Sequence, residues 1–175
     1  MGCVPSKRAL AIRAAALKEG DKMSEYSDYY RKVKTTKGDM ISLAQFEGKK
    51  DVVLFFYPKA DTPGCTKEAC KFRDEYDAFT SAGAEVIGIS GDGVEAQETF
   101  QSKHRLPFTI VSDAGNYLRK GFGVPADMFG ILPGRMTYVI SKEGKCVMSF
   151  NSQIDAEGHV TKALAAIKAL QTMKA

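Results

Sequence analysis

The chain has 175 residues, 44% of them apolar and 26% charged, the composition of one ordinary globular domain able to bury a core without staples. The formal net charge is only +4 and the basic residues are spread along the chain, so no basic stripe interleaved with aromatics marks a nucleic-acid binder. No apolar run approaches the length of a membrane-spanning helix, and four unevenly spaced cysteines without a secretory signal do not make a secreted disulfide framework; they fit a reducing compartment.

Residues 1–22 read as a basic N-terminal targeting or lipid-anchor segment ahead of a domain expected over residues 23–175, with Glu19-Gly-Asp21 as the boundary and Met23 as an alternative start. Met1-Gly-Cys-Val-Pro-Ser6 fits the pattern M-G-x-x-x-[ST], in which Gly2 takes a myristoyl group once Met1 is removed, and Cys3 beside it suits palmitoylation. One acyl chain holds a membrane only marginally, so Cys3 or the attraction of Lys7, Arg8 and Arg13 to anionic lipid would have to complete the anchor. On this reading the chain is cytoplasmic and tethered to a membrane face. A transit peptide competes with it, because residues 1–18 contain no acidic residue and Arg8-Ala-Leu-Ala-Ile-Arg-Ala-Ala-Ala16 has the matching composition, which would send the chain to a plastid or mitochondrion. A plain basic tail with a chance match at Gly2 is the third reading.

Residues 24–38 are polar and aromatic with no single period, Asp39–Leu43 reads as a short strand, and Phe46–Lys50 as a loop. Val52-Val-Leu-Phe-Phe-Tyr57 has the pattern of a buried strand and stops at Pro58, which cannot continue a central ladder. After a loop carrying Thr62 and Pro63 a helix begins with Cys65 in its first turn, where unpaired N–H groups and the positive end of the dipole favour a thiolate. Cys65 is thereby a candidate nucleophile, and Cys70 lies five residues on in the same helix. Five residues of unbroken helix put two Cα atoms on the order of 8–9 Å apart, whereas a disulfide tolerates about 7 Å. A Cys65–Cys70 bridge therefore requires the helix start to unwind.

The cysteine helix should end near Gly83 as its C′ residue. Beyond it, Glu85–Ile89 is expected as a strand, Glu95–His104 as a helix, Phe108–Val111 as a strand and Asn116–Gly121 as a short helix. Met136–Ile140 and Cys146–Phe150 form an expected antiparallel hairpin, and a last helix over Ala156–Thr172 places Val160, Leu164, Ile167 and Leu170 at helical spacing. Alternating elements with a terminal hairpin imply an α/β domain, a central mixed β-sheet flanked by α-helices.

The motif Pro58-x-x-x-Thr62-x-x-Cys65 resembles the active-site signature of the peroxiredoxins, and a second cysteine five positions later is similar to their Q-type, or bacterioferritin-comigratory, branch. Ala84–Asp92, Leu106-Pro-Phe108, Ser112-Asp113, Gly123-Val-Pro125 and Gly134-Arg-Met-Thr-Tyr-Val139 match in the expected order, so the resemblance covers residues 39 to 172. It implies a thioredoxin-like fold and a thiol peroxidase acting on hydrogen peroxide or organic hydroperoxides, with Cys65 peroxidatic and Cys70 resolving. It also implies recycling by thioredoxin or a related dithiol protein, no cofactor, a monomeric state, and often a plastid location. By resemblance Arg135 and Thr62 stand against Cys65, and Pro58 shapes and shields the pocket. The Ala-Pro dipeptide and Asp-x-x-Gly turn usual near residues 24–38 are absent, which leaves the local wall of the site mouth open.

Duller roles compete at each position. Cys65 could be a small buried hydrophobe, Cys70 a core residue on the inner helix face, Thr62 a helix cap and Arg135 a surface charge. Cys146, in a strand with apolar neighbours, is expected to pack, and His104 and His159 are too few and too separated for a metal site. Two other functions share the thiol chemistry: a thioredoxin-like disulfide exchanger, which would want two residues between its cysteines where this chain has four, and a membrane-tethered thiol redox relay.

Overall fold

The computed structural model describes residues 16–174. Its nine strands are β1 (Val33–Thr35), β2 (Met40–Ile41), β3 (Asp51–Phe56), β4 (Ala84–Ser90), β5 (Thr109–Ser112), β6 (Ala126–Asp127), β7 (Leu132–Pro133), β8 (Met136–Ile140) and β9 (Cys146–Asn151). Its α-helices are α1 (Pro63–Asp74), α2 (Tyr76–Ser81), α3 (Val94–Lys103), α4 (Tyr117–Gly121) and α5 (Ala156–Lys174). Seven strands form one sheet in the order β2-β1-β5-β4-β3-β8-β9, with β3, β4 and β5 parallel and the outer pairs antiparallel. This is the mixed sheet that the alternating pattern predicts.

Strand β3 lies inside the sheet between β4 and β8 and is buried along its whole length, so its residues alternate between two cores. Val53, Phe55 and Tyr57 face one core with Cys65, Phe72, Phe79, Phe108, Val160 and Ile167. Val52, Leu54 and Phe56 face the other with Leu17, Met23, Tyr26, Leu118, Phe122 and Tyr138. The aromatic rings on the first side stack closely, Phe55 on Phe72 at 4.4 Å between centroids, which seats α1 firmly over the sheet.

Three features depart from the sequence expectations, and a fourth, over residues 23–30, fills a stretch to which the sequence assigns no element. The helix carrying Cys65 is broken at Glu75 (φ −97°, ψ 4°) into α1 and α2, and Tyr76 just past the break packs on Phe108 at 6.1 Å. Gly83 does follow the second piece with φ +76°, as a C′ glycine should. The stretch expected as a strand over 39–43 forms only β2 and then a one-turn 3-10 helix, Leu43–Phe46, opened by a capping box at Ser42 and Gln45. Residues 23–30 make two further 3-10 turns that bury Met23, Tyr26 and Tyr29 under the second core. Finally, the packed body begins before residue 23: Leu17 is buried and donates its N–H to the Phe122 carbonyl at 2.8 Å, and the Gly20 N–H reaches the Cys146 carbonyl at 2.9 Å. The boundary expected at Glu19–Asp21 falls inside this packed segment. Gly123 (φ +62°) makes room there, because a Cβ would stand 2.6 Å from the Ala16 Cα.

Candidate active site

The end of β3 and the start of α1 bring Cys65 to the surface of the first core. Tyr57 leaves the strand, Pro58 stops it, and residues 58–62 are held from the other side by Asp92, whose carboxylate accepts the Ala60 N–H at 2.8 Å. Thr62 occupies the N-cap position with extended backbone, and its carbonyl accepts the Thr66 N–H at 2.9 Å to open the helix. Pro63 follows at the first helical position, where its missing N–H costs nothing. Cys65 comes two residues later with only 1% of its surface exposed.

Arg135, at the entry to β8, is buried at 4% exposure, and its Nη2 donates to Cys65 Sγ at 3.5 Å. Two more bonds fix the guanidinium: Nη1 donates to Glu68 Oε2 in a short ion pair, and Nε donates to the Gln153 carbonyl at 3.2 Å. Glu68 lies three residues after Cys65 on the same face of α1, so one helix presents both the thiol and the carboxylate that aims the arginine at it. Gly64 leaves the guanidinium its space, since a Cβ there would stand 3.0 Å from Nη2. A second guanidinium, Arg119 on α4, ties the two sides of the site together, donating to the Tyr57 carbonyl at 3.0 Å and to the Gly134 carbonyl at 2.6 Å.

Behind Glu68 stands His159 of α5, fully buried. Its Nε2 lies 2.8 Å from the Ser152 carbonyl, which makes that nitrogen the donor, and leaves Nδ1 to accept from the Thr137 hydroxyl at 2.8 Å. Burial pushes the imidazole down to about 4, so it is neutral near pH 7. Burial likewise pushes the Glu68 carboxyl up, to about 8, against the pull of Arg135. Burial also works against the charge of Arg135, but Glu68 and Cys65 outweigh it and hold that guanidinium above its ordinary value.

The remaining expected site residues fall as follows. Cys70 is half-buried, unpaired, and lies with Cys65 in the unbroken α1, so both thiols are free in this closed helix. The Thr62 hydroxyl donates to the Lys59 carbonyl at 2.8 Å and makes no cap hydrogen bond, which leaves only its lone pairs to face a ligand. Pro58 is half-buried at the strand end. Cys146 packs in the second core, across the sheet from Cys65, and burial pushes its thiol up to about 12. Gly2 and Cys3 lie outside the described residues. Sequence reasoning missed Glu68, Arg119 and His159. Only Glu68 left a signal, a carboxylate three residues from Cys65 on a face otherwise carrying Ala69 and Phe72.

Comparison with known proteins agrees with this geometry. Residues 28–149 match the model of the AhpC/TSA family. The chain is 51% identical over 142 residues to the chloroplastic peroxiredoxin Q of Sedum lineare, covering 81% of this chain and 74% of the relative. To that of Populus jackii it is 51% identical over 138 residues, 79% of this chain and 64% of the relative, so the chain spans a little under two thirds of that protein. Among solved structures, peroxidoxin BcpB from Mycobacterium tuberculosis superposes with a TM-score of 0.78 at 36% identity, over 88% of this chain and 98% of that one. A Xanthomonas campestris peroxiredoxin Q superposes at 0.76 with 31% identity, over 83% of this chain and 94% of that one. The chain belongs to the AhpC/TSA family and, within it, to the Q-type peroxiredoxins, which are thiol-dependent peroxidases of thioredoxin-like fold.

Proposed function

We propose that this chain reduces hydrogen peroxide and organic hydroperoxides through a two-cysteine cycle run by Cys65 and Cys70. The Cys65 thiolate attacks one peroxide oxygen; the O–O bond breaks, its electron pair leaves on the other oxygen, and that oxygen takes up a proton and departs as water or an alcohol. Arg135 meets the negative charge as it moves from sulfur to the departing oxygen, with the N–H groups at the start of α1 beside it. Cys65 is left as a sulfenic acid. The Cys70 thiolate then attacks that sulfur, hydroxide leaves and is protonated to water, and a Cys65–Cys70 disulfide forms. Both residues sit in an unbroken helix, so this step needs α1 to open. A dithiol protein of the thioredoxin type restores both thiols by exchange, and the enzyme works as a monomer.

The observation that carries this reading is the Arg135 guanidinium 3.5 Å from the sulfur of Cys65 at a helix start, with a second free thiol in the same helix. The test is peroxide consumption coupled to thioredoxin, thioredoxin reductase and NADPH. Cys65→Ser should abolish it. Cys70→Ser should consume one equivalent of peroxide and then stop; sustained turnover of that variant would assign resolution to another thiol.

For the N-terminal segment two placements have separate support. The chloroplastic location in the names of the relatives favours a plastid address for this chain. The M-G-x-x-x-[ST] pattern at Gly2, with Cys3 beside it, favours acylation and a membrane face in the cytoplasm. Cleavage beyond Leu17 would remove a buried side chain, so a removable leader has to end before it. The mass of the N-terminal peptide from native cells separates the two.

A further inference from the structure

His159 has no part in the thiol cycle, yet its ring reaches each of the segments that hold Arg135. It stands near the start of α5, and helical side chains lean back toward the N-terminus, so the imidazole covers the turn that precedes the helix. There Nε2–H donates to the Ser152 carbonyl at 2.8 Å, which fixes the peptide leading into Gln153, whose own carbonyl accepts Arg135 Nε at 3.2 Å. The Thr137 hydroxyl, two residues along the chain from Arg135, donates to Nδ1 at 2.8 Å and sets the tautomer. On the third side Glu68 Oε1 lies 3.7 Å from Nδ1. That oxygen is buried and has no hydrogen-bond partner among the described residues, while Oε2 accepts from Arg135. A neutral ring with its proton on Nε2 shows Glu68 only an occupied lone pair, so the carboxylate is left to Arg135.

The surroundings keep the ring in that state. Burial holds the imidazole down, at about 4; Arg135 pushes the same way, and the Ser152 carbonyl and Asp155 oppose them without prevailing. Phe150 closes a further side, edge-on at 4.7 Å between centroids.

We infer that His159 is a positioning residue for the peroxide step, aiming Arg135 at Cys65 by anchoring the Gln153 segment through Nε2–H and by denying Glu68 a second donor at Nδ1. The ring acts wholly through Arg135, whose Nη2 stands 3.5 Å from Cys65 Sγ. A role in packing alone would be met by any apolar ring against Phe150, and would leave both nitrogens without work. The opposite tautomer, with its proton on Nδ1, would lose the Ser152 bond and draw Glu68 away with a donor of its own. A guanidinium held at fewer corners swings, and a displacement of about 1 Å near a reacting centre costs on the order of a hundredfold in rate. The reacting partner rests on the peroxidase reading of Cys65; the aim of Arg135 at the sulfur can be read without a peroxide.

The test is a double-mutant cycle on the full chain, with the peroxide step followed by stopped-flow under single turnover and the iodoacetamide reaction of Cys65 at pH 7 followed by peptide mass. His159→Phe, which keeps a buried ring and no hydrogen bond, should slow the peroxide step about tenfold or more and slow the iodoacetamide reaction in the same direction. His159→Gln, whose amide N–H can stand where Nε2 does, should recover most of that loss. On an Arg135→Ala background His and Phe at position 159 should differ by less than about twofold. Thr137→Val frees Nδ1 to take the ring proton and offer it to Glu68, so it should slow both reactions only while Arg135 is present; it carries the test if His159→Phe does not fold. Equal rates for wild type and His159→Phe would overturn the inference. So would a Phe variant slowed equally with and without Arg135, the mark of a general loss of packing, or a Gln variant as slow as the Phe variant. A wild-type chain that leaves peroxide untouched would sink the peroxidase reading, and the iodoacetamide rates would still decide whether His159 acts through Arg135.

Discussion

Arg135 is a buried cation whose three sets of N–H groups are each spoken for, by Cys65, Glu68 and the Gln153 carbonyl. A buried charge survives only when paired, and the pairing here also fixes direction, since a planar guanidinium held at two corners can point only one way at the third. Replacing Arg135 with alanine removes the donor aimed at the sulfur and, in the proposed mechanism, at the peroxide oxygen that departs as the O–O bond breaks. The peroxide step should slow about a hundredfold or more, measured by stopped-flow under single turnover, while Cys65 stays titratable by a thiol reagent in the unfolded chain. An unchanged rate constant would take Arg135 out of the site. Its place beside Cys65 could not be read from spacing, because it lies 70 positions away in the chain. It reached the site through the resemblance of Gly134-Arg-Met-Thr, not through any local pattern. Glu68 could have been found by its three-residue offset from Cys65, whereas Arg119 and His159 acquire their roles only when the sheet and α5 fold over α1.

Elements with a clean period were legible. The apolar run of β3, the hairpin of β8 and β9 and the apolar spacing of α5 are periodic, and the structure places all three where that periodicity predicts. The 3-10 turns at 23–30 and the break at Glu75 were not, because neither carries a proline or glycine, and each is set by where aromatic side chains find room, Tyr26 and Tyr29 in one case and Tyr76 in the other. His159 is the point where four elements meet: it sits on α5, accepts from Thr137 of β8, donates to the turn after β9, and faces Glu68 of α1 with Nδ1 at 3.7 Å from Oε1. Its value in the fold is about 4, below the ordinary 6.5, so between those limits the unfolded chain binds more protons than the folded one. Stability is therefore lost as pH falls from about 6.5 to about 4, by an amount on the order of a few kcal/mol. Glu68 acts in the opposite sense, its raised carboxyl favouring the closed helix at low pH and losing that contribution as pH rises toward about 8. Urea midpoints measured across pH 4–7 should show the wild type losing stability relative to His159→Gln as pH falls, because only the wild type carries the His159 contribution against the opposing one of Glu68; an equal slope in the two proteins would place the titration elsewhere.

At the scale of the whole molecule the chain divides its labour across the sheet. One core carries Cys65, α1 and the network that orients Arg135; the other carries the N-terminal segment from Leu17 onward and the inert Cys146. Putting Cys146 on the far side of the sheet leaves Cys70 as the described thiol on the helix of Cys65, and in the proposed cycle resolution by Cys70 would depend on α1 opening over its first turns. That opening would also part Glu68 from Arg135, since Glu68 lies between the two cysteines. In the proposed cycle the disulfide and the aimed arginine would thus belong to two different states of the helix, closed for peroxide and open for the bond. The most direct test is intact mass and peptide mapping of the reduced full chain before and after one equivalent of hydrogen peroxide. Loss of two hydrogens, with Cys65 and Cys70 in one linked peptide, is the expected result. An unmodified Cys65 under those conditions, or a bridge between Cys65 and any other cysteine, would contradict the two-cysteine cycle.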